Sequence, residues 1–305
     1  MRRFLLIPQL KIHNANAMSS PYTIGFPAMT AWLGAVHALQ RKVQTRGFSD
    51  VAFTQLAVSC HDFNLQTHRS ANDFVSSIIG TSNPLDKDGN RPAFIEEARC
   101  HLKVSLLIEY TGVDPDDEAQ WLELVHELVV GMKFASGDVL ATRQPEILRL
   151  DEEHGARLKA ITDKLMLGYV LKERRDLMVA DMAQGHDALT ALLNYIKVTH
   201  RAEAPESPDT DEAAPTEKAV WRSKRKTAGW IIPIAVGFQG ISPLGKAANQ
   251  RDSETEHRFA ESIVTLGEFI MPYRIRNIDE VLWRYHCDLE HDLYLCQNQA
   301  LPLSN

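Results

Sequence analysis

The chain has 305 residues, of which 44% are hydrophobic, and its 33 lysines and arginines against 40 acidic residues give a formal net charge of −7. This composition is typical of a soluble globular protein and excludes a chain that is disordered throughout. Because no run approaches the roughly 18 apolar residues that cross a bilayer, we expect a cytoplasmic protein with neither an export signal nor a membrane anchor.

The first part of the chain predicts a strand, a helix and a second strand. An apolar-rich run at residues 3–13 is typical of a strand, and the polar residues after it indicate a long loop. Pro27 suits the first turn of a helix, and the apolar residues after it repeat at helical spacing. Apolar and polar side chains alternate between residues 51 and 62, which favours an extended segment.

A stronger strand pattern and a second helix follow. Residues 99–110 alternate in the way expected of a strand with one buried face. Asp114 as N-cap and Pro115 in the first turn then predict a helix, and residues 138–141 are a candidate for one more strand. The order β-α-β-β-α-β predicts an α+β fold in which residues 1–150 form a ferredoxin-like, or RRM-like, core.

The rest of the chain changes character twice. Residues 151–200 look mainly helical, with a candidate strand at 168–171, and we interpret them as an insertion or extension that adds a mostly helical portion. Residues 201–217 are predicted to form an acidic mobile loop, because 203–217 hold six acids, three prolines and no base. Residues 218–305 are expected to complete the body with a basic segment, strands and a final helix that begins at Asp279.

The basic segment is the strongest chemical signal. Between Lys218 and Arg258 there are eight lysines and arginines against three acids, a net charge of +5. Clustered cations on an acidic protein form a local site for phosphates, although a solvated charged face has the same composition. The predicted phosphate ligands are Arg222, Lys224, Arg225, Lys226, Arg251 and Arg258. Asn14 and Asn16 are predicted as polar supports for nucleic acid, but they could equally cap their own turns.

Motifs for cofactor or metal chemistry are missing from the sequence. Neither a Walker G-x-x-x-x-G-K nor a G-x-G-x-x-G occurs, and the octamer that reads bases on RNA-recognition motifs is absent. His126 and Glu127 begin like a zinc-protease motif, but Val130 stands where the second histidine is needed. We therefore predict no cofactor and no metal site.

Four longer blocks resemble one known family in the same order. They are IPQLKIHNANAMSSPYTIGFPAMTAWLGAVHAL at 7–39, MKFASGDVL at 132–140, GWIIPIAVGFQGISP at 229–243 and RFAESIVTLGEFIMPYR at 258–274. The family is that of the Csy-complex second subunit, the Cas-five-type tail protein of type I-F CRISPR surveillance complexes. The resemblance covers nearly the whole chain.

The resemblance implies both a fold and a function. It implies a ferredoxin-like core with an added, mostly helical portion, in a non-catalytic subunit of an RNA-guided DNA surveillance complex. Such a subunit binds the 5′ handle of the guide RNA together with the large tail subunit, and it contacts the backbone subunits. Target DNA is a further candidate partner.

Two other functions stay open at this point. A guide-precursor endoribonuclease would need general acid-base side chains, for which His13 and His37 are the nearby candidates. The sequence offers no constellation of His, Tyr and Lys around them. A protein-only scaffold would bind no RNA, and the net charge of +5 in the basic segment argues against it.

Overall fold

The computed structural model describes residues 1–79, 85–91, 97–151, 155–203, 220–248, 250 and 252–298. Within these ranges the α-helices are α1 (Met29–Thr45), α2 (Glu118–Val130), α3 (Gly155–Lys164), α4 (Arg175–Met182) and α5 (Ala188–Ile196). The described strands are β1 (Arg2–Asn16), β2 (Met18–Ser20), β3 (Thr23–Ile24), β4 (Ala52–Leu65), β5 (Thr67–His68), β6 (Ser77–Ile78), β7 (Arg99–Thr111), β8 (Lys133–Phe134), β9 (Gly137–Ala141), β10 (Glu146–Leu150), β11 (Tyr169–Glu173), β12 (Thr199–Glu203), β13 (Val220–Lys224), β14 (Trp230–Gly240), β15 (Ala260–Ile270), β16 (Arg284–Asp288) and β17 (Leu293–Gln297). Short 3-10 helices lie at Pro115–Asp117, Pro272–Arg274 and Ile278–Glu280. Among the described helices, none has both the length and the apolar character that a membrane crossing requires.

Most of the described strands belong to one large, curled antiparallel sheet. From edge to edge its order is β16-β17-β14-β15-β11-β4-β7-β1-β9-β8, and β10 pairs with the first residues of β1. Strand β7 forms long ladders with both of its neighbours, β1 and β4. Three small two-stranded sheets lie apart from it: β2 with β3, β5 with β6, and β12 with β13.

The predicted fold class, an α+β fold with a ferredoxin-like core and an added helical portion, is wrong. The described chain is mostly β, and strands β4, β7, β1 and β9 are consecutive strands of a much larger sheet rather than a separate core. The reason lies in β11, inside the segment predicted to be mainly helical. Its Val170 and Leu171 are fully buried, and the strand pairs with β4 on one side and β15 on the other. It thereby joins the N-terminal strands to the C-terminal strands.

The predicted final helix is also wrong. Asn277 and Glu280 form a capping box, but it begins only the short 3-10 helix Ile278–Glu280. Val281, Leu282 and Trp283 are then consecutive buried residues, which one face of a helix cannot bury together. Trp283 forms a bridge with β4, and β16 begins at the next residue. The indole Nε1 of Trp283 donates a hydrogen bond to the Leu171 carbonyl at 2.9 Å.

Helices α1 and α2 cover one face of the central strands. The helical spacing predicted after Pro27 is present, since the buried residues of α1 are Met29, Trp32, Leu33, Ala35, Val36, Leu39 and Val43. They share one core cluster with Leu10 and Ile12 of β1 and with Trp121 of α2. Burial of such large aromatic side chains is a dominant contribution to the stability of a core.

The opposite face of these strands is covered only in part. Phe4 and Leu6 of β1 pack there against α3 and against residues 275–282. Side chains alternate along a strand, so Lys11 and His13 project from this same face while Ile12 points to α1. Both Lys11 and His13 are exposed. The fold therefore leaves a stretch of the sheet surface open to solvent beyond α3.

Candidate nucleic-acid interface

Four basic side chains from two neighbouring strands lie on this open stretch. Lys11 and His13 come from β1, and His101 and Lys103 come from β7. All four line an open cavity of about 480 Å³. We call this group of four residues the cationic face.

The two lysines of the cationic face are directly opposite each other in the sheet register. Like charges at opposite positions of an antiparallel pair destabilise the sheet. Within the described part of the chain, neither lysine forms an ion pair that would relieve the repulsion. A surface that keeps two such cations together has the charge required to attract an anion.

The two histidines of the cationic face stack on each other. The ring centroids of His13 and His101 are 4.2 Å apart, with 16° between the ring planes. The backbone N–H of Asn14 donates to Nδ1 of His101 at 3.0 Å, which requires that nitrogen to be unprotonated. Partial burial, and then the neighbouring His13, lower the pKa of His101 below its usual value.

A second cavity, of about 370 Å³, shares one lining residue with the first and is mainly apolar. Asp62 of β4 lines both cavities. Phe26 and Phe269 form the buried floor of the second cavity, and the more exposed Trp230 and Tyr169 stand at its rim. We call it the aromatic cavity; its other lining residues are Ile24, Gly25, Cys60, His61, Phe63, Ile232 and Pro233.

The polar groups of the aromatic cavity differ in how they are held. Nε2 of His61 is 2.7 Å from the buried hydroxyl of Ser105, and burial lowers the pKa of His61. His61 is therefore a neutral, fixed part of the wall at pH 7. The Asp62 side chain is exposed, and its carboxylate accepts no hydrogen bond from the residues that the structure describes.

Of the predicted phosphate ligands, Arg222 and Lys224 lie on a two-stranded hairpin. The hairpin consists of β12 and β13, which we call the basic arm. Arg201 and Arg222 are opposite each other in its register, so the arm repeats the pairing of like charges seen on the sheet. Lys224, Arg225 and Arg222 are exposed. Residues 201–203 of the predicted acidic loop belong to β12, and 204–219 lie outside the described residues.

Lys226 has a different role from its neighbours in sequence. Its ammonium group forms an ion pair with Asp181 of α4, a residue with no exposed surface. It also lies over the ring of Tyr195, 4.5 Å from the centroid. Asn194 donates to the same carboxylate at 2.9 Å, and the hydrogen bonds from Asn194 and Lys226 lower the pKa of Asp181. Lys226 thus fixes the segment between β13 and β14 to α4 and α5.

The remaining predicted ligands lie elsewhere. Arg258 forms an ion pair with Asp292 near the end of β14, and Arg251 is outside the described residues. Asn16 caps its own turn, since its Oδ1 accepts from the Met18 N–H at 2.9 Å. Asn14 is exposed beside the cationic face, with the positive φ of 61° that asparagine tolerates well. The eight predicted residues therefore do not form one site.

Sequence reasoning did not select Lys11, His101 or Lys103. The sequence pattern could have indicated them, because the alternation in the first and third predicted strands places these cations on the solvent-facing side of each strand. That the two strands are neighbours, with Lys11 opposite Lys103, is a property of the sheet register. Among the described residues, no group of three or more His, Cys, Asp or Glu side chains is arranged to hold a metal ion.

Comparisons with known proteins agree with the resemblance seen in the sequence. The chain matches the family model described as "CRISPR-associated protein (Cas_Csy2)" over residues 5–296. The CRISPR-associated protein Csy2 of Pseudomonas aeruginosa (strain UCBPP-PA14) is 36% identical over 312 aligned residues, which cover 95% of this chain and 93% of that protein. The predicted family is confirmed. The chain belongs to the Csy2 family of CRISPR-associated proteins.

Proposed function

We propose that this chain is a non-catalytic subunit of a type I-F CRISPR RNA-guided DNA surveillance complex, where it binds the 5′ handle of the guide RNA together with the large tail subunit. Family membership supports the CRISPR role. The observation that carries RNA binding is the position of Lys11 opposite Lys103, with two histidines beside them.

The chemistry of the cationic face suits a phosphate backbone. Unpaired lysines bind phosphate as point charges, and the spacing of neighbouring strands keeps the two ammonium groups close enough to share one or two phosphates. In a protein with a net charge of −7, such a local cluster also steers RNA to one face and leaves the remainder free for protein contacts. Lys224, an exposed cation of the basic arm, supplies a second contact of the same kind.

The arrangement of the histidines favours a binding subunit over a nuclease. His37 lies on α1, which packs on the sheet face opposite to His13, so the two candidates cannot act on one phosphate. His61 and Ser105 are within hydrogen-bonding distance, but the serine has no exposed surface. General acid-base cleavage needs a base and an acid that both reach the same reacting group.

An exposed apolar surface supports contact with other subunits. Phe238, Leu244 and Leu289 line an open cavity of about 510 Å³ at the β14 and β16 end of the sheet. Leu289 is 88% exposed. Exposed apolar patches of this kind are typical of protein interfaces, which is consistent with a subunit that is stable beside a partner.

The test is a salt titration of 5′-handle RNA binding by the chain co-expressed with the large tail subunit. Changing Lys11 and Lys103 together to Ala should weaken binding at low salt and reduce the log-log salt slope by about 1.4, or roughly 0.7 per lost contact with single-stranded RNA. Lys42→Ala is the matched control, because Lys42 is exposed on α1 on the other side of the sheet. An unchanged slope in the double variant would refute the proposal.

A further inference from the structure

We propose that the aromatic cavity binds one unstacked nucleobase of the RNA whose phosphates lie on the cationic face. This inference rests on the proposed function and assigns the base-binding site within it. The site combines aromatic walls, a carboxylate at the rim that has no partner among the described residues, and a lining residue shared with the cationic face.

The walls of the cavity suit a flat aromatic ring. The centroid of Trp230 is 5.2 Å from that of Tyr169 and 5.1 Å from that of Phe269, and Phe26 packs edge-on against Phe269 at 5.3 Å. These rings line an open space instead of filling it, and Trp230 remains 51% exposed. Aromatic side chains attract further rings in stacked or edge-to-face positions, and every nucleobase has such a ring.

The rim of the cavity supplies a hydrogen-bond acceptor. The Asp62 carboxylate lines the cavity and accepts no hydrogen bond within the described part of the chain. A ligand with a hydrogen-bond donor can pair with this carboxylate, whereas a purely apolar ligand cannot. The amino groups of adenine, cytosine and guanine and the ring N–H groups of guanine and uracil can all donate to a carboxylate. The cavity should therefore favour a base with a donor at this position over one without.

The cavity and the cationic face meet at Asp62, which lies where the α1 side of the sheet, with Phe26 and Phe269, borders the opposite side. Asp62 of β4 is directly opposite Lys103 of β7, and it lines both cavities. Neighbouring strands are about 5 Å apart, so a nucleotide whose phosphate contacts Lys103 can direct its base into the aromatic cavity. Sequence-specific recognition of single-stranded RNA usually takes this form, with the base turned out and stacked on aromatic side chains. A cationic side chain of a partner fits less well, because Lys103 would repel it.

The experiment uses the chain co-expressed with the large tail subunit and synthetic 5′-handle RNA that carries the fluorescent base 2-aminopurine at one position at a time. Binding should change the fluorescence strongly at one position, where the base stacks in the cavity. Trp230→Ala should abolish that change and weaken RNA binding roughly tenfold, the effect expected for the loss of one stacked base. Tyr273→Ala is the control, since Tyr273 is exposed in the short helix Pro272–Arg274, away from both cavities.

Two further measurements distinguish the loss of the base-binding site from misfolding of the Trp230→Ala variant. An abasic nucleotide at the responsive position should weaken binding to the wild type by the same factor, and it should add nothing in the Trp230→Ala variant. Asp62→Ala, at an exposed position, should remove the preference for adenine over purine riboside, which lacks the amino group.

The outcomes separate this inference from the proposed function. If RNA binding depends on Lys11 and Lys103 but no position responds to Trp230→Ala, the nucleobase site is refuted and RNA binding stands. If Trp230→Ala instead releases the large tail subunit and leaves RNA affinity unchanged, the cavity binds a protein side chain and the inference is wrong. If the wild-type chain with its partner binds no handle RNA, both proposals fail.

Discussion

His13 and His101 stack at a centroid distance of 4.2 Å across two neighbouring strands, and the Asn14 N–H donates to the outer nitrogen Nδ1 of His101. Protonation of that nitrogen would break the hydrogen bond and place a cation beside His13. Partial burial lowers the pKa of His101 further. The hydrogen bond and the burial therefore both favour the neutral form of His101, although this histidine lies among cationic side chains.

A dependence of stability on pH follows from this pair. The pKa of His101 is lowered in the folded state from about 6.5 in the unfolded chain, so the unfolded state binds more protons as pH falls. Its contribution to stability is complete above pH 6.5 and is lost as pH falls through the folded-state pKa, with a slope of at most about 1.4 kcal/mol per pH unit. Urea unfolding at pH 7.5 and 5.5 should show a smaller loss in His101→Gln than in the wild type. His37→Gln, at an exposed site on α1, should behave like the wild type.

The basic arm should contribute phosphate contacts that are independent of the sheet. Changing Lys224 of the arm and the adjacent Arg225 together to Ala should reduce the salt slope of RNA binding by up to about 1.4, with similar effects on unrelated RNA sequences. Lys246→Ala is the matched control, because Lys246 is an exposed cation of the same net-positive segment but lies outside the arm. Equal effects of the two variants would mean that general charge, and not the arm, determines binding.

Lys226 should behave as a structural residue. Lys226→Ala removes the lysine partner of the buried Asp181 and leaves it only Asn194 and His186 among the described residues, so the melting temperature should fall by several degrees, whereas Lys224→Ala should leave it unchanged. The lowered pKa of Asp181 means that this contribution is present above about pH 3.8 and is lost as pH falls through the folded-state value. The difference between wild type and Lys226→Ala should therefore shrink in strong acid. A wild-type melting temperature in Lys226→Ala at pH 7 would contradict this role.

Trp283 should be one of the most sensitive core positions. It is fully buried, and its indole N–H reaches the Leu171 carbonyl at 2.9 Å. Trp283→Ala should lower the free energy of unfolding by about 3–5 kcal/mol, and Trp283→Phe should cost less because most of the apolar volume remains. Trp221→Ala is the control: this residue of β13 is 72% exposed, so its loss should change the free energy by about 0.5 kcal/mol or less. Chemical denaturation gives both values.

Local patterns allowed the sequence to predict individual elements but not their assembly. The helical period after Pro27 and the alternation at residues 99–110 correspond to α1 and β7, since both patterns arise from a single buried face. The position of β11 between β4 and β15 depends on contacts with distant parts of the chain, such as Tyr169 with Cys60 and Leu171 with Phe269. No local period reports such neighbours, so a small core was predicted where a large sheet forms.

The same limit applies to the candidate site. Charge density selected Lys226 and Arg258, but whether a cation is available depends on acids far away in sequence, here Asp181 and Asp292. Lys11 and Lys103 have ordinary sequence surroundings and become a site only because their strands are paired. The family resemblance, in contrast, was legible because it rests on long blocks of residues and needs no knowledge of contacts.

The short pairing of β11 with β4 also determines where the backbone hydrogen bonds of the large sheet should break most readily. Strand β11 meets β4 through only two residue pairs, Tyr169 with Cys60 and Val170 with Ser59, whereas β4 and β7 share a ladder along most of their length. The aromatic cavity spans this junction, with Phe63 on one side and Trp230 on the other. Amide hydrogen exchange should therefore be fastest, among the central strands, where β4 meets β11. A base bound in the cavity would tie the two halves of the sheet together, and it would slow the exchange of backbone amides that it never touches.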